Sequence, residues 1–210
     1  MAGDSRPRRH LRVVEDLSSL EDEELMCLHR DGDASAFDLL VHRHRGGLHR
    51  YLLRLVRDTQ RAEELVADTF LKIHRAAPRY QPTAKFSTYA YTVAYRAALN
   101  HNARMRHRRD FGAGGSAELE QQQRAEPPAA GPAGPERAVR LKRDFARLEA
   151  ELDQLPEAHR AAFLLYYVQD MSCAEIAETL DISPEEAKGR LAYARKLLRS
   201  RMTADRRERT

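Results

Sequence analysis

Two copies of the pattern S-x-x-E lie close together in the stretch SCAEIAETLDISPEEAKGRL, residues 172–191. Ser172 with Glu175 forms the first copy, and Ser183 with Glu186 forms the second. This capping-box pattern marks the start of a helix, so two helices begin within a dozen residues. The turn between them contains Asp181, whose short polar side chain tolerates the left-handed backbone region. The stretch therefore predicts a helix-turn-helix.

The spacing of apolar residues gives the second helix an inner and an outer face. Its inner face is Ala187, Leu191, Ala194 and Leu198. The outer face is predicted to carry Glu185, Lys188, Gly189, Ala192, Tyr193 and Lys196, with Arg195, Arg199 and Arg201 beyond it. A tight turn followed by a long basic helix favours binding to duplex DNA, with the arginines on phosphates. The alternative is an ordinary helical hairpin with a solvated charged face.

The acidic start of this second helix does not exclude DNA. Both carboxylates suit the positive end of a helix dipole. Glu186 is expected to complete the cap with Ser183, whereas Glu185 is free to accept a hydrogen bond from a cytosine amino group. Because these charges repel phosphate, the sequence predicts weak nonspecific affinity for DNA.

The remaining periodicity is also helical, which predicts an all-α fold of two small domains. Stripes at helical spacing run through residues 37–55, 62–73 and 86–100, and periodicity resumes at Val139. Gly46 and Gly47 are expected to weaken the first stripe and to favour a kink. Between the domains, FGAGGSAELEQQQRAEPPAAGPAGPE has the composition of a flexible linker. We predict a disordered tail at 1–17, a domain at 18–110, a linker at 111–138, a domain at 139–203 and a basic tail at 204–210, with Ser18 and Glu21 capping the first helix.

Composition excludes several classes of function. The two cysteines, Cys27 and Cys173, stand far apart, which argues against a disulfide framework or a cysteine zinc site and fits a reducing cytosol. Neither a secretory signal nor an apolar run of membrane-spanning length occurs. His42, His44 and His49 diverge around a helix, and no HExxH or phosphate-binding glycine loop occurs. We expect a cytoplasmic protein with no catalytic residue, no bound metal and no cofactor.

The stretch from Tyr80 to Arg96 interleaves aromatic residues with cations. Such a surface can hold an unstacked base by stacking while cations follow the strand. Phe86 and Val93 are assigned to the core, and Tyr95 and Arg96 are the favoured contacts. The basic run at 104–109 suits duplex phosphates or, equally, a solvated helix end.

Taken in order, these motifs resemble the extracytoplasmic-function (ECF) type of bacterial sigma factor, in the sigma-70 family. LPEAHRAAFLLYYVQDMSCAEIAETLDISPEEAKGRLAYARKLLRSRM resembles region 4 of that family. DGDASAFDLLVHRHRGGLHRYLLRLVRDTQRAEELVADTFLKIHRA resembles regions 2.1 and 2.2, and KFSTYAYTVAYRAALNHNARMRHRR resembles regions 2.3 and 2.4. The resemblance covers about residues 20–109 and 141–203.

The resemblance implies a role for each group of residues. The polymerase clamp helices would be bound by Glu63, Glu64, Ala67, Asp68 and Phe70. The −10 promoter element would be bound by Tyr80, Lys85, Tyr89, Tyr95, Arg96, Asn100, Arg104 and Arg106. The −35 element would be bound by Ser183, Glu185, Glu186, Lys188, Gly189, Arg190, Tyr193 and Lys196. Region 4 would also bind the polymerase flap.

The same resemblance implies partners and a rival function. Core RNA polymerase, promoter DNA and an anti-sigma factor are the expected partners, with no membrane contact by this chain itself. Several residues depart from the family pattern, including Tyr89 for Trp, Arg96 for Asn and Ala67 for Gln. Glu186, Gly189 and Tyr193 replace the commoner Thr, Ser and Arg. The alternative is a stand-alone helix-turn-helix regulator, or a polymerase-binding modulator that does not initiate transcription.

Overall fold

The computed structural model describes residues 17–111, 143 and 146–207, and the described residues are helical with no strand. The helices are α1 (Asp22–Arg30), α2 (Ala34–Val56), α3 (Thr59–Ala76), α4 (Phe86–Phe111), α5 (146–153), α6 (Glu157–Val168), α7 (Cys173–Leu180) and α8 (Pro184–Arg207). Short 3₁₀ turns occupy Leu17–Ser19 and Ala77–Arg79. The predicted all-α class is confirmed. The predicted tail before 17 and linker, including Val139, lie outside the described residues.

The first helix begins later than its sequence pattern predicts. Ser18 belongs to the 3₁₀ turn, and Glu21 is the N-cap of α1. The Glu21 backbone amide donates to Oε2 of Glu24 at 3.0 Å, which closes a capping box one turn further on. The prediction that Ser18 caps the helix was therefore wrong, because a glutamate side chain performs the same task three residues later.

Helix α2 runs through Gly46 and Gly47 without interruption. Its ends are capped by Asp33, which accepts from the amides of Ser35 and Ala36, and by Arg57 in the left-handed conformation (φ 60°). A Cβ at position 47 would lie 2.6 Å from the hydroxyl of Tyr91 on α4. Gly47 therefore serves close packing of α4 on α2, and the expected kink at this pair does not interrupt the helix.

The predicted stripes form the core of the first domain. Ala62, Leu65, Thr69, Phe70 and Ile73 on α3 are buried. They pack against α2 and α4, which contribute a large set of buried residues: Leu40, Leu48, Leu52, Leu55, Phe86, Ala90 and Ala94. Helix α3 ends at Ala76, two residues before Pro78, as the avoidance of helical geometry before proline predicts.

The helix-turn-helix forms as predicted, with one difference. Ser172 accepts from the Glu175 amide and Glu175 accepts from the Ser172 amide at 2.8 Å, so the first box is complete. Asp181 adopts the left-handed conformation (φ 57°, ψ 53°). At the second cap the Glu186 amide donates to Oγ of Ser183 at 3.1 Å, but the Glu186 carboxylate accepts from Arg190 instead of returning to the cap. The second box is thus half formed.

The two halves of the chain pack directly against each other. Helix α7 lies against α4, and α6 lies against α2. One apolar cluster joins the first half to the second, where it includes Ala161, Ala162, Leu164, Leu165 and Ile176. A smaller cluster of Leu152, Leu155, Ala194 and Leu198 fixes α5 to α8. Burial of this apolar area holds the domains together, an arrangement that the sequence of two tethered domains does not predict.

Leu165 offers a direct test of this shared core. Leu165→Ala is expected to lower the free energy of unfolding by about 2–5 kcal/mol, because its side chain is fully buried within the joint cluster. The matched control is Leu71→Ala, whose side chain is 44% exposed and whose loss should change stability by less than about 0.5 kcal/mol. Urea denaturation followed by circular dichroism measures both. Equal effects of the two substitutions would contradict the packing described.

Within the described ranges, no group of three or more His, Cys, Asp or Glu side chains is placed to hold a metal ion. Over those ranges, too, none of the helices combines the length and apolar character that crossing a bilayer requires.

Candidate nucleic-acid interface

The outer face of α3 is acidic. Glu63, Glu64, Ala67 and Asp68 are all exposed. Phe70 is buried (7% exposed) and meets Phe37 edge to face at 6.2 Å, so its side chain holds α3 in the core rather than facing a partner. The expectation of a surface contact at Phe70 is corrected accordingly.

An exposed apolar residue completes the α3 face. Leu71 follows Asp68 by three residues and Ala67 by four, so the three side chains share one side of the helix. With 44% of its surface exposed, Leu71 is one of the few large apolar side chains that remain in contact with water. Leu71 was not predicted from the sequence, although a leucine outside the core stripe was the available signal.

Three polar side chains form a stripe along α4. Arg96, Asn100 and Arg104 are exposed and recur at intervals of four residues, which places them on one face. The side chains are about 6 Å apart along the helix axis, and their two cations can contact the phosphates of a nucleic-acid strand.

The aromatic residues beside this stripe are mostly buried. Tyr95 is 6% exposed and Tyr80 is 9% exposed, which corrects the expectation that Tyr95 is an open contact. Burial raises the pKa of Tyr80 to about 12, so its phenol stays neutral. The Tyr80 ring lies 5.9 Å from the ring of Tyr89, which is partly exposed. Tyr89 is therefore the aromatic residue of this group that is open to a base.

Two cations of the predicted −10 set are paired with carboxylates from the second half of the chain. Lys85 Nζ lies 2.8 Å from Oε1 of Glu175 on α7. Arg106 lies 3.4 Å from Oε2 of Glu157 on α6, and Asn102 donates to the other oxygen of that carboxylate at 2.8 Å. The sequence did not predict these contacts of Glu157 and Glu175, because the spacing of residues in a single sequence does not show which distant residues meet.

The pairing with Lys85 strongly perturbs Glu175. The hydrogen bond from Lys85, followed by those from Ser172, lowers the pKa of the Glu175 carboxyl to about 2. Lys85→Met is expected to raise this pKa toward its usual value of about 4.5, with the amide of Ser172 still holding it somewhat lower. Carboxyl NMR during an acid titration measures the shift, with Lys72→Met on α3 as control.

The depressed pKa of Glu175 determines how the Lys85–Glu175 pair affects stability as the pH changes. The contribution of the Lys85–Glu175 pair to folding is fully present above the ordinary glutamate pKa and is lost as pH falls from about 4.5 to about 2. An unchanged Glu175 titration in Lys85→Met would show that the pair does not form in solution.

The outer face of α8 matches its prediction closely. Glu185, Lys188, Gly189, Tyr193 and Lys196 are exposed, as is Ser183 in the turn before them. Arg190 is less open, and its NH2 nitrogen donates to Oε1 of Glu186 at 2.6 Å. The ring of Tyr193 lies 4.5 Å from that of His159 on α6, so α6 supports one edge of this face.

The arginines beyond this face are partly engaged in contacts with the protein. Arg195 donates to the Tyr167 hydroxyl at 2.7 Å and lies 4.9 Å from the centre of the Tyr166 ring. Arg201 pairs with Glu151 at 3.3 Å. Of the three arginines predicted to reach phosphates, Arg199 alone is exposed with no hydrogen bond or ion pair from its side chain to another described residue.

Comparison with known proteins gives this arrangement a context. Residues 40–109 match the family model of Sigma-70 region 2, and residues 145–198 match that of Sigma-70, region 4. RNA polymerase sigma factor CarQ of Myxococcus xanthus is 34% identical over 76% of this chain and 84% of its own. ECF RNA polymerase sigma factor SigM of Mycobacterium tuberculosis is 31% identical over 83% and 81%. The chain belongs to the ECF group of the sigma-70 family.

A solved structure shares the fold of this sigma factor. The sigma factor RpoE of Bartonella quintana, solved with the anti-sigma factor NepR, superimposes with a TM-score of 0.61 at 19% identity, over 80% of this chain and 98% of that one. Region 2 corresponds here to most of α2, to α3 and to nearly all of α4, and region 4 to α5, α6, α7 and the part of α8 up to Leu198.

Within this sigma factor the predicted residues fall into three groups. The residues predicted to bind the polymerase clamp helices, apart from Phe70, lie together on one face of α3. The residues predicted to bind the −35 element lie in the turn before α8 and in the first half of that helix. The −10 set is divided: Arg96, Asn100 and Arg104 form an open stripe, while Lys85 and Arg106 are paired with region 4.

Proposed function

We propose that this sigma factor binds core RNA polymerase, recognises the −35 and −10 promoter elements and promotes opening of the duplex. The observation that supports this most strongly is the presence, in one chain, of an exposed acidic face on α3, an open polar stripe on α4 and an exposed helix-turn-helix face on α8. A simple DNA-binding regulator needs only the last of these surfaces.

Each surface is assigned a role that its chemistry can perform. Glu63, Glu64 and Asp68 present negative charge to the clamp helices, with Leu71 as an apolar contact beside them. Arg96, Asn100 and Arg104 follow the strand of the −10 element while Tyr89 offers a ring to an unpaired base. On α8, Lys188 and Lys196 contact phosphates, and Glu185 can accept from a cytosine amino group.

Opening the duplex requires no bond to be made or broken by this chain. Holding an unstacked base offsets the few kcal/mol lost when that base leaves the duplex, so strand separation is driven by binding energy. RNA synthesis is left to the polymerase. We therefore assign the protein no catalytic residue and no cofactor, and we place its action in the cytoplasm.

An anti-sigma factor is also proposed as a partner. The related RpoE of Bartonella quintana was solved with such a protein, and this chain shares its fold. The exposed side chains of Tyr167 and Val168 at the end of α6, each 48% exposed, give region 4 an apolar surface for a protein partner, whether flap or inhibitor.

A modulator that binds polymerase without initiating is the second candidate. It is favoured by the acidic start of α8, where Glu185 and Glu186 are both exposed and would repel phosphate. The distinguishing experiment mixes the protein with sigma-free core polymerase and promoter fragments, then maps unpaired thymines with permanganate. Reactive thymines near the −10 position support initiation, whereas core binding without reactive thymines supports the modulator.

A further inference from the structure

We propose that Glu157 and Glu175 of region 4 act as internal phosphate mimics, which hold the free protein in a closed, autoinhibited state by occupying cations of its own −10 surface. This inference concerns the regulation of the proposed promoter-binding site and rests on that proposed function.

Both contacts engage cations that are predicted to bind the −10 element. Lys85 and Arg106 flank the open stripe of α4, one before the helix and one toward its end. Each meets a carboxylate of region 4, at 2.8 Å for Lys85 and 3.4 Å for Arg106. Because a carboxylate and a phosphate offer the same acceptor oxygens to a cation, DNA and region 4 compete for these two side chains.

The closed state is stabilised by further contacts besides these two surface ion pairs. Arg54 on α2 donates to the buried carboxylate of Glu149, and Arg57 donates to the backbone carbonyl of Asp153. The hydroxyl of Tyr95 on α4 lies near enough to the Arg190 guanidinium for that charge to oppose the rise in the pKa of Tyr95 caused by burial. A residue predicted for the −10 element thus lies close to one predicted for the −35 element.

In the closed state, the two DNA-binding surfaces lie too close together to bind both promoter elements at once. The −35 and −10 elements are centred about 25 base pairs apart, which is roughly 85 Å along a duplex at 3.4 Å per base pair. In the closed state region 4 touches the −10 surface directly, so one chain cannot engage both elements without opening. Residues 112–142, if fully extended, could reach roughly 100 Å, which is enough for the separation.

Closure affects the two DNA-binding surfaces unequally. Lys85 and Arg106 are engaged, whereas Glu185, Lys188, Tyr193 and Lys196 on α8 stay exposed. The free protein should therefore be impaired mainly in binding single strands through region 2. Binding to polymerase, which fixes the domains apart, would release the two cations.

The test uses the full-length protein without polymerase. Glu157→Gln with Glu175→Gln removes both charges, retains hydrogen-bonding groups and keeps a residue type that suits a capping box. The control, Asp170→Asn with Glu178→Gln, removes two charges from exposed region 4 residues that form no ion pair with described residues of region 2. Fluorescence anisotropy measures binding of fluorescein-labelled (dT)₁₂ at low salt, and small-angle X-ray scattering measures the radius of gyration.

We expect the Glu157→Gln/Glu175→Gln protein to bind (dT)₁₂ about tenfold more tightly than wild type and to have a larger radius of gyration. The control should stay within threefold of wild type. Equal gains in the two double variants would overturn the proposal, as would a wild-type protein that is already extended at low salt. If the double variant does not unfold cooperatively, Glu175→Gln alone is compared with Glu178→Gln. The first should gain about threefold in affinity for (dT)₁₂ and the second should not gain, and equal gains would again overturn the proposal.

These readouts do not depend on polymerase. A wild-type protein that fails to bind core polymerase would refute the proposed function yet leave the comparison of the variants intact. Conversely, normal start-site selection with no gain in (dT)₁₂ binding would refute autoinhibition alone.

Discussion

Reversal of charge at two exposed carboxylates of α3, Glu63→Lys with Asp68→Lys, should weaken binding to core polymerase by at least about a hundredfold. Each reversal replaces an attraction to a basic partner by a repulsion, and charge pairs at close range across interfaces are worth about 1.5 kcal/mol or more each. Both side chains point into solvent, so the fold should be unaffected, within about 0.5 kcal/mol in the free energy of unfolding. Competition with a labelled sigma factor for core polymerase measures the affinity.

A single pair of variants separates the α3 face from general charge effects. Asp68→Lys and Glu178→Lys make the same change on exposed faces of α3 and α7. The first should lose at least tenfold in affinity for the core enzyme, and the second no more than about twofold. Comparable losses would mean that net charge, rather than the face of α3, governs binding.

Removal of two side chains from the polar stripe of α4 should strongly reduce promoter opening. In the holoenzyme, Arg96→Ala with Asn100→Ala should reduce formation of the open complex at least about tenfold while binding to core polymerase stays unchanged. Contacts of this type to bases and strand are worth about 1–3 kcal/mol each. Both side chains are exposed, so the substitutions leave the core of α4 intact. Permanganate reactivity of promoter thymines measures opening.

A control on α2 removes the same guanidinium charge elsewhere. Arg45 is exposed and makes no ion pair with another described residue, so Arg45→Ala should leave opening within about twofold of wild type. If Arg45→Ala reduced opening as much as the pair on α4, the stripe would have no special role in holding the strand.

Local patterns in the sequence predicted the helices and most of their faces. Ala187, Leu191 and Leu198 are buried as helical spacing predicts, and Asp181 takes the left-handed conformation that the turn requires. These features depend on residues within one or two turns of each other. For the same reason the exposed set on α8 could be identified before the structure.

The contacts between the domains could not be predicted in this way. Glu175 reads locally as a helix cap, and it is one, but its second oxygen also pairs with Lys85, ninety positions away in the chain. Gly47 suggested a kink, yet its role is to admit the hydroxyl of Tyr91. Such roles are set by tertiary packing, which can override local propensity and leaves no periodic trace in a single sequence.

Run-off transcription tests the central claim most directly. Purified protein is added to sigma-free core polymerase with genomic promoter fragments, and the 5′ ends of the RNA are sequenced. The proposed function predicts discrete start sites preceded by a shared two-part motif. Transcripts that start at the same positions with and without the protein would contradict it.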